Sequence, residues 1–61
     1  MVKFKIVDSY GNEFVVGYRT RKSAERNAKR LNRALVGVTT LRVIGYNAPK
    51  RVRVRVVREA E

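Results

Sequence analysis

The chain has 61 residues, enough for one domain and a small core. It contains no cysteine and no histidine, which excludes disulfides, zinc centres of the usual Cys/His kind and histidine acid–base chemistry. Fifteen Lys and Arg against five Asp and Glu give a net charge of +10, beyond the magnitude of about 2–8 that solubility requires in a small domain.

Self-repulsion at that density opposes compaction, and a polyanionic partner relieves it. Nucleic acid is the commonest such partner, followed by an anionic surface or an acidic protein. The opening MVKFKIV lacks the apolar core and cleavage site of a signal peptide. No apolar run approaches the ~20 residues that span a bilayer. These features predict a single cytoplasmic domain over residues 1–61, with no membrane partner.

From Val2 to Val7, apolar Val2, Phe4 and Ile6 alternate with Lys3 and Lys5, the period of a half-buried strand. Asp8 to Asn12 carries the Asp, Gly and Asn of a hairpin loop, of a length suited to a type I turn. Glu13 to Arg19 is the return strand, with Phe14, Val16 and Tyr18 expected on the face of the first strand's apolar set and Val15, Gly17 and Arg19 on the other. Gly17 within it signals a bulge or the close approach of another backbone.

Thr20 to Leu35 has helical periodicity: Ala24, Ala28, Leu31 and Leu35 form one apolar stripe. Thr20 is the expected N-cap and Gly37 the expected C′ residue. Lys29, Arg30 and Arg33 complement the helix dipole, whereas Arg21 and Lys22 in the first turn oppose it. Val38 to Tyr46 reads as a third strand whose inward face is ambiguous. Leu41 and Val43 favour odd positions, Ile44 and Tyr46 even ones, and a bulge near Gly45 would reconcile them. After a turn at Asn47 to Lys50, Arg51 to Arg58 reads as a fourth strand, with Val52, Val54 and Val56 inward and Arg51, Arg53 and Arg55 outward. Glu59 to Glu61 is expected to be a frayed acidic tail.

The order β-β-α-β-β predicts an α+β fold: two hairpins joined by a helix, forming a four-stranded sheet with the helix packed on one face. Two strand orders stay open. Either the terminal strands lie side by side and parallel in the centre, or the hairpins meet along other edges. The uncovered face is expected to carry Lys3, Lys5, Arg19, Arg42, Arg51, Arg53 and Arg55, with Tyr46 as an interleaved stacking surface, a combination suited to phosphate and base contacts. Opposite the apolar stripe of the helix, Lys22, Arg26, Lys29 and Arg33, with Arg30 beside them, form a second cationic line. Asn27 and Asn32 on its flanks are of the type that reads base edges.

Catalysis has little basis. Asp8 and Glu13 are a thin carboxylate set, the tyrosines lack a histidine base, and the glycines are too dispersed for a phosphate loop. No catalytic, cofactor-binding or metal-ligating residue is assigned.

The run VDSYGNEFVVGYRTRKSAERNAKRLN contains Gly11, Thr20, Arg21, Ala24, Ala28, Leu31 and Asn32. It resembles small phage-encoded basic proteins in which a hairpin with a central Gly precedes Thr-Arg and a helix with spaced alanines ending in Leu-Asn. The resemblance covers a little under half the chain and transfers no site residue. It implies a phage or mobile-element origin and action in the host cytoplasm, where such proteins bind DNA or disable a host factor. The expected function is non-enzymatic binding of nucleic acid, double-stranded DNA over RNA, with weak sequence preference. The basic sheet face would be the main surface and the helix the secondary one. The alternative is an interaction module or host-factor inhibitor that docks on an acidic protein. A homodimer through the uncovered face, burying Val15, Ile44 and Tyr46, is compatible with both.

Overall fold

A computed structural model describes residues 1–58, so the expected tail at Glu59 to Glu61 lies outside the described residues. The elements are β1 (Val2–Val7), β2 (Glu13–Tyr18), α1 (Arg21–Ala34), β3 (Arg42–Asn47) and β4 (Arg55–Val56). They form an α+β fold with one four-stranded sheet in the order β3-β1-β2-β4. Every neighbouring pair is antiparallel. The expected second hairpin does not form, because β3 and β4 occupy opposite edges. The terminal strands are not neighbours either.

The first hairpin closes on Asp8. Its carboxylate accepts the backbone N–H groups of Tyr10 at 2.9 Å and Asn12 at 2.8 Å, and the Asn12 side-chain amide at 3.0 Å. Burial of Asp8 opposes its charge, but the hydrogen bonds from Asn12 and Tyr10, aided by the field of Arg58, outweigh it and hold the carboxyl below its usual range.

β2 carries two irregularities against β1. Phe4 faces Tyr18, Ile6 faces Val15 and Val7 faces Glu13, so an extra β2 residue is accommodated at each step. These shifts change the parity of the strand. Val15 joins Ile6, Phe14, Tyr18, Ala24, Ala28, Leu35 and Leu41 in the core, and Val16, expected there, is buried outside that cluster. Ile6 and Leu35, 0% and 2% exposed, each contribute about 1.5–3 kcal/mol by burial.

Thr20 caps α1 as expected, its hydroxyl oxygen accepting the Ser23 N–H at 3.2 Å. The C-cap is Leu35, whose N–H reaches the Leu31 carbonyl at 3.0 Å. Gly37 is therefore one residue further out than expected, inside the turn closed by the Val38 N–H and the Leu35 carbonyl at 2.8 Å. β3 pairs with β1 without interruption from Val2–Asn47 to Val7–Arg42, so no bulge forms at Gly45. Val43 lies opposite Ile6 on the helix side, while Ile44 and Tyr46 lie opposite Lys5 and Lys3 on the other. The Phe4 ring covers Gly45, 3.5 Å from where a Cβ would stand.

The C-terminal segment departs most from expectation. Only Arg55–Val56 is strand, and Val54 and Val56 are exposed, because α1 packs over β1, β2 and β3 and does not reach β4. To pass from one sheet edge to the other, residues 48–54 cross the face opposite the helix. The Ala48 N–H meets the Met1 carbonyl at 2.9 Å, the Lys3 ammonium donates to the Val52 carbonyl, and the Arg53 carbonyl lies against Gly17. This strap leaves Lys3 only 5% exposed.

Gly17 combines φ of +97° with a backbone neighbour where a Cβ would project, whereas Gly11 at φ of +86° has open space around it. Gly11→Ala should cost about 1–2 kcal/mol, the ordinary left-handed penalty. Gly17→Ala should cost clearly more in urea unfolding, since it also lifts the strap. Equal costs would show that the strap is not seated there.

Candidate nucleic-acid interface

The basic residues separate into two surfaces on opposite faces of the sheet. On α1, Lys22, Arg26, Lys29, Arg30 and Arg33 are all exposed. The last four border a shallow concavity of about 300 Å³. The apolar stripe is anchored to the sheet through Ala24, Ala28 and Leu35, and this turns the cationic line outward. Glu25, the only carboxylate in the helix, lies 3.9 Å from Arg21.

On the strap side, Arg19, Arg51 and Arg53 surround a cavity of about 490 Å³ together with Lys50, Val52, Met1 and Lys3. Lys50 was not among the residues expected there. Its position in the Pro49 turn concealed it, because turn residues show no face until the path of the chain is known. Arg55, in β4, is exposed. Arg42 is exposed on the edge strand β3, away from this group.

The expected continuous basic sheet face does not exist. Lys3 is buried beneath the strap. Lys5 is half-buried and pairs with Glu13 at 2.7 Å, and its ammonium lies 5.1 Å from the centre of the Tyr46 ring. Tyr46 is thus half-buried, with an internal cation over one ring face. Arg51, Arg53 and Arg55 lie on the strap and at the β2 edge, and β1 does not neighbour them in the sheet. Val15 is in the helix-side core, so it is not part of a dimer surface on the opposite face.

Of the two asparagines of α1, Asn32 is committed internally and Asn27 makes local surface bonds. The Asn32 side-chain amide donates to the Leu41 carbonyl at 3.1 Å, and its oxygen accepts the Leu41 N–H at 2.7 Å. This two-point clamp joins α1 to the approach of β3. Asn27 donates to the Ser23 carbonyl at 3.0 Å and accepts from Arg30 at 2.8 Å. Asp8 and Glu13 are likewise engaged, in the hairpin loop and with Lys5. Burial raises the Tyr18 hydroxyl above its usual pKa against the opposing field of Arg30. Among the described residues, no group of three or more His, Cys, Asp or Glu could hold a metal ion, and no helix is long and apolar enough to cross a membrane.

Asn32→Ala removes both partners of a buried backbone unit and should destabilise the fold by about 1–3 kcal/mol in urea denaturation. A stability unchanged from wild type would return Asn32 to the pool of ligand-reading residues.

No protein-family model, curated protein or solved structure shows significant similarity to the chain.

Proposed function

We propose that this protein is a non-enzymatic nucleic-acid-binding module that holds double-stranded DNA with weak sequence preference, chiefly through the outer face of α1. The observation that carries this reading is the exposed line Lys22, Arg26, Lys29 and Arg33, with Arg30 beside it, on a helix whose other face is fixed to the sheet. From Lys22 to Arg33 the line extends about 16 Å at 1.5 Å per residue. Duplex DNA presents one charge per ~1.7 Å of axis, so several phosphates lie within that span. The B-form major groove admits a helix, whereas the deep, narrow major groove of A-form RNA does not, which favours DNA. The part-buried clamp of Asn32 on Leu41 withdraws it from base reading, and the exposed line consists of arginine and lysine, consistent with weak sequence preference. The strap cations Arg19, Arg51 and Arg53 supply a second, separate basic surface.

Binding of a short labelled duplex should weaken steeply with salt, with a log–log slope of about −0.9 per phosphate contacted. The triple variant Arg26→Ala, Lys29→Ala, Arg33→Ala should reduce the magnitude of the slope by about 2–3. Arg51→Ala, Arg53→Ala, Arg55→Ala should keep most of the affinity. Absence of duplex binding at low salt overturns the function. Loss confined to the second variant overturns the placement on the helix.

A further inference from the structure

The strand β3 has β1 on one side only, and among the described residues no strand pairs with its outer edge. In an antiparallel pair, alternate residues direct their backbone N–H and C=O groups away from the partner, so that edge is a template for a further strand. Edges are normally blunted by charge, proline, bulges or brevity. β3, reading RVIGYN, has one charge, no proline and an unbroken register, and Gly45 on it is exposed. β4, the opposite edge, is two residues long.

A groove of about 610 Å³ runs beside this edge, between β3 and the flank of α1. Ala28, Leu41 and Val43 give it an apolar lining, and Val36, 79% exposed, stands at its end. Lys29, Arg33 and Arg42 supply its cations, against the single carboxylate of Glu25.

We infer that this edge and groove form a docking site for an extended acidic peptide segment of a partner protein, which adds as a strand beside β3. Backbone pairing gives the peptide its alignment; its apolar side chains on the helix side lie on Ala28, Leu41 and Val43, carboxylates on its other face meet Arg42, and acidic residues flanking the apolar ones on the helix side meet Lys29 and Arg33. Charge selects the occupant. A second copy of a chain with net charge +10 would bring two Arg42-bearing edges together. A nucleic-acid backbone offers no hydrogen-bonding ladder for β3 and no side chains for the apolar lining. The groove shares Lys29 and Arg33 with the outer line of α1, whereas Arg42, Leu41, Val43 and the β3 edge belong to it alone, so peptide docking is read at β3 and DNA binding at Lys22, Arg26 and Arg30.

The test is a titration of isotope-labelled protein with a short capped peptide alternating Val and Glu and ending in a Glu-Glu pair on each side, which puts carboxylates on both faces, using Val/Gln and Val/Lys counterparts as controls. The acidic peptide should shift the amides of Arg42–Asn47 and slow hydrogen exchange at those β3 amides that do not bond to β1. The Val/Lys peptide should bind at least about tenfold more weakly, and the double variant Arg33→Glu, Arg42→Glu should invert that preference. Both arginines are exposed, so the fold is expected to survive, and the wild-type shift map stands without the variant. Shifts confined to Lys22, Arg26 and Arg30, or equal binding of all three peptides, overturn the proposal. So does a sedimenting dimer whose β3 amides are protected before any peptide is added, which would give the edge to a second copy.

Discussion

A lysine on a central strand must have its charge met, and Lys3 on β1 is such a residue. Flanked by β3 and β2 and 5% exposed, it satisfies its ammonium on the Val52 carbonyl. A buried ammonium without a partner costs far more than an ordinary hydrogen bond returns, so the strap and Lys3 require each other. The same passage demands a glycine at position 17, where the Arg53 carbonyl takes the room a side chain would use. The strap carries the chain from β3 to β4 across the sheet. That route explains why the last two strands end on opposite edges and why the second face is partly covered with no second helix.

This closure redistributes the charge. A sheet with one open face would have aligned Lys3, Lys5 and the strap arginines into a single surface. Instead Lys3 is buried, Lys5 is neutralised by Glu13, and Arg51 and Arg53 move to the cavity rim with Arg19 and Lys50. The helix then presents the most regular line of exposed cations, held outward by Ala24 and Ala28. Small residues at those positions bring the helix axis close to the sheet. The Asn32 clamp fixes its far end to Leu41.

Local chemistry made much of this legible. The 3.6-residue stripe located α1, Thr20 marked its start, and the alternation in β1 assigned its faces correctly. Gly17 announced both things that occur there, a bulge and a close backbone. The consequence of that bulge was not legible, because one extra residue reverses every side chain beyond it, and the pairing that places the extra residue is a long-range fact. The same reason explains Val54 and Val56. An alternating RVRVRV segment is a good strand in isolation, but whether its apolar side is covered depends on which edge it reaches and how far the helix extends. Asn32 shows the converse. Its residue type suggested base reading, and only the position of Leu41 shows its donor and acceptor to be already matched.

The outer face of α1, freed of core and clamp duties, is the proposed DNA-binding surface. Mapping amide chemical shifts of the labelled protein during titration with a short duplex tests it most directly. The largest changes are expected at Lys22, Arg26, Lys29, Arg30 and Arg33. A footprint centred on Lys50 to Arg55, with α1 unmoved, would contradict it.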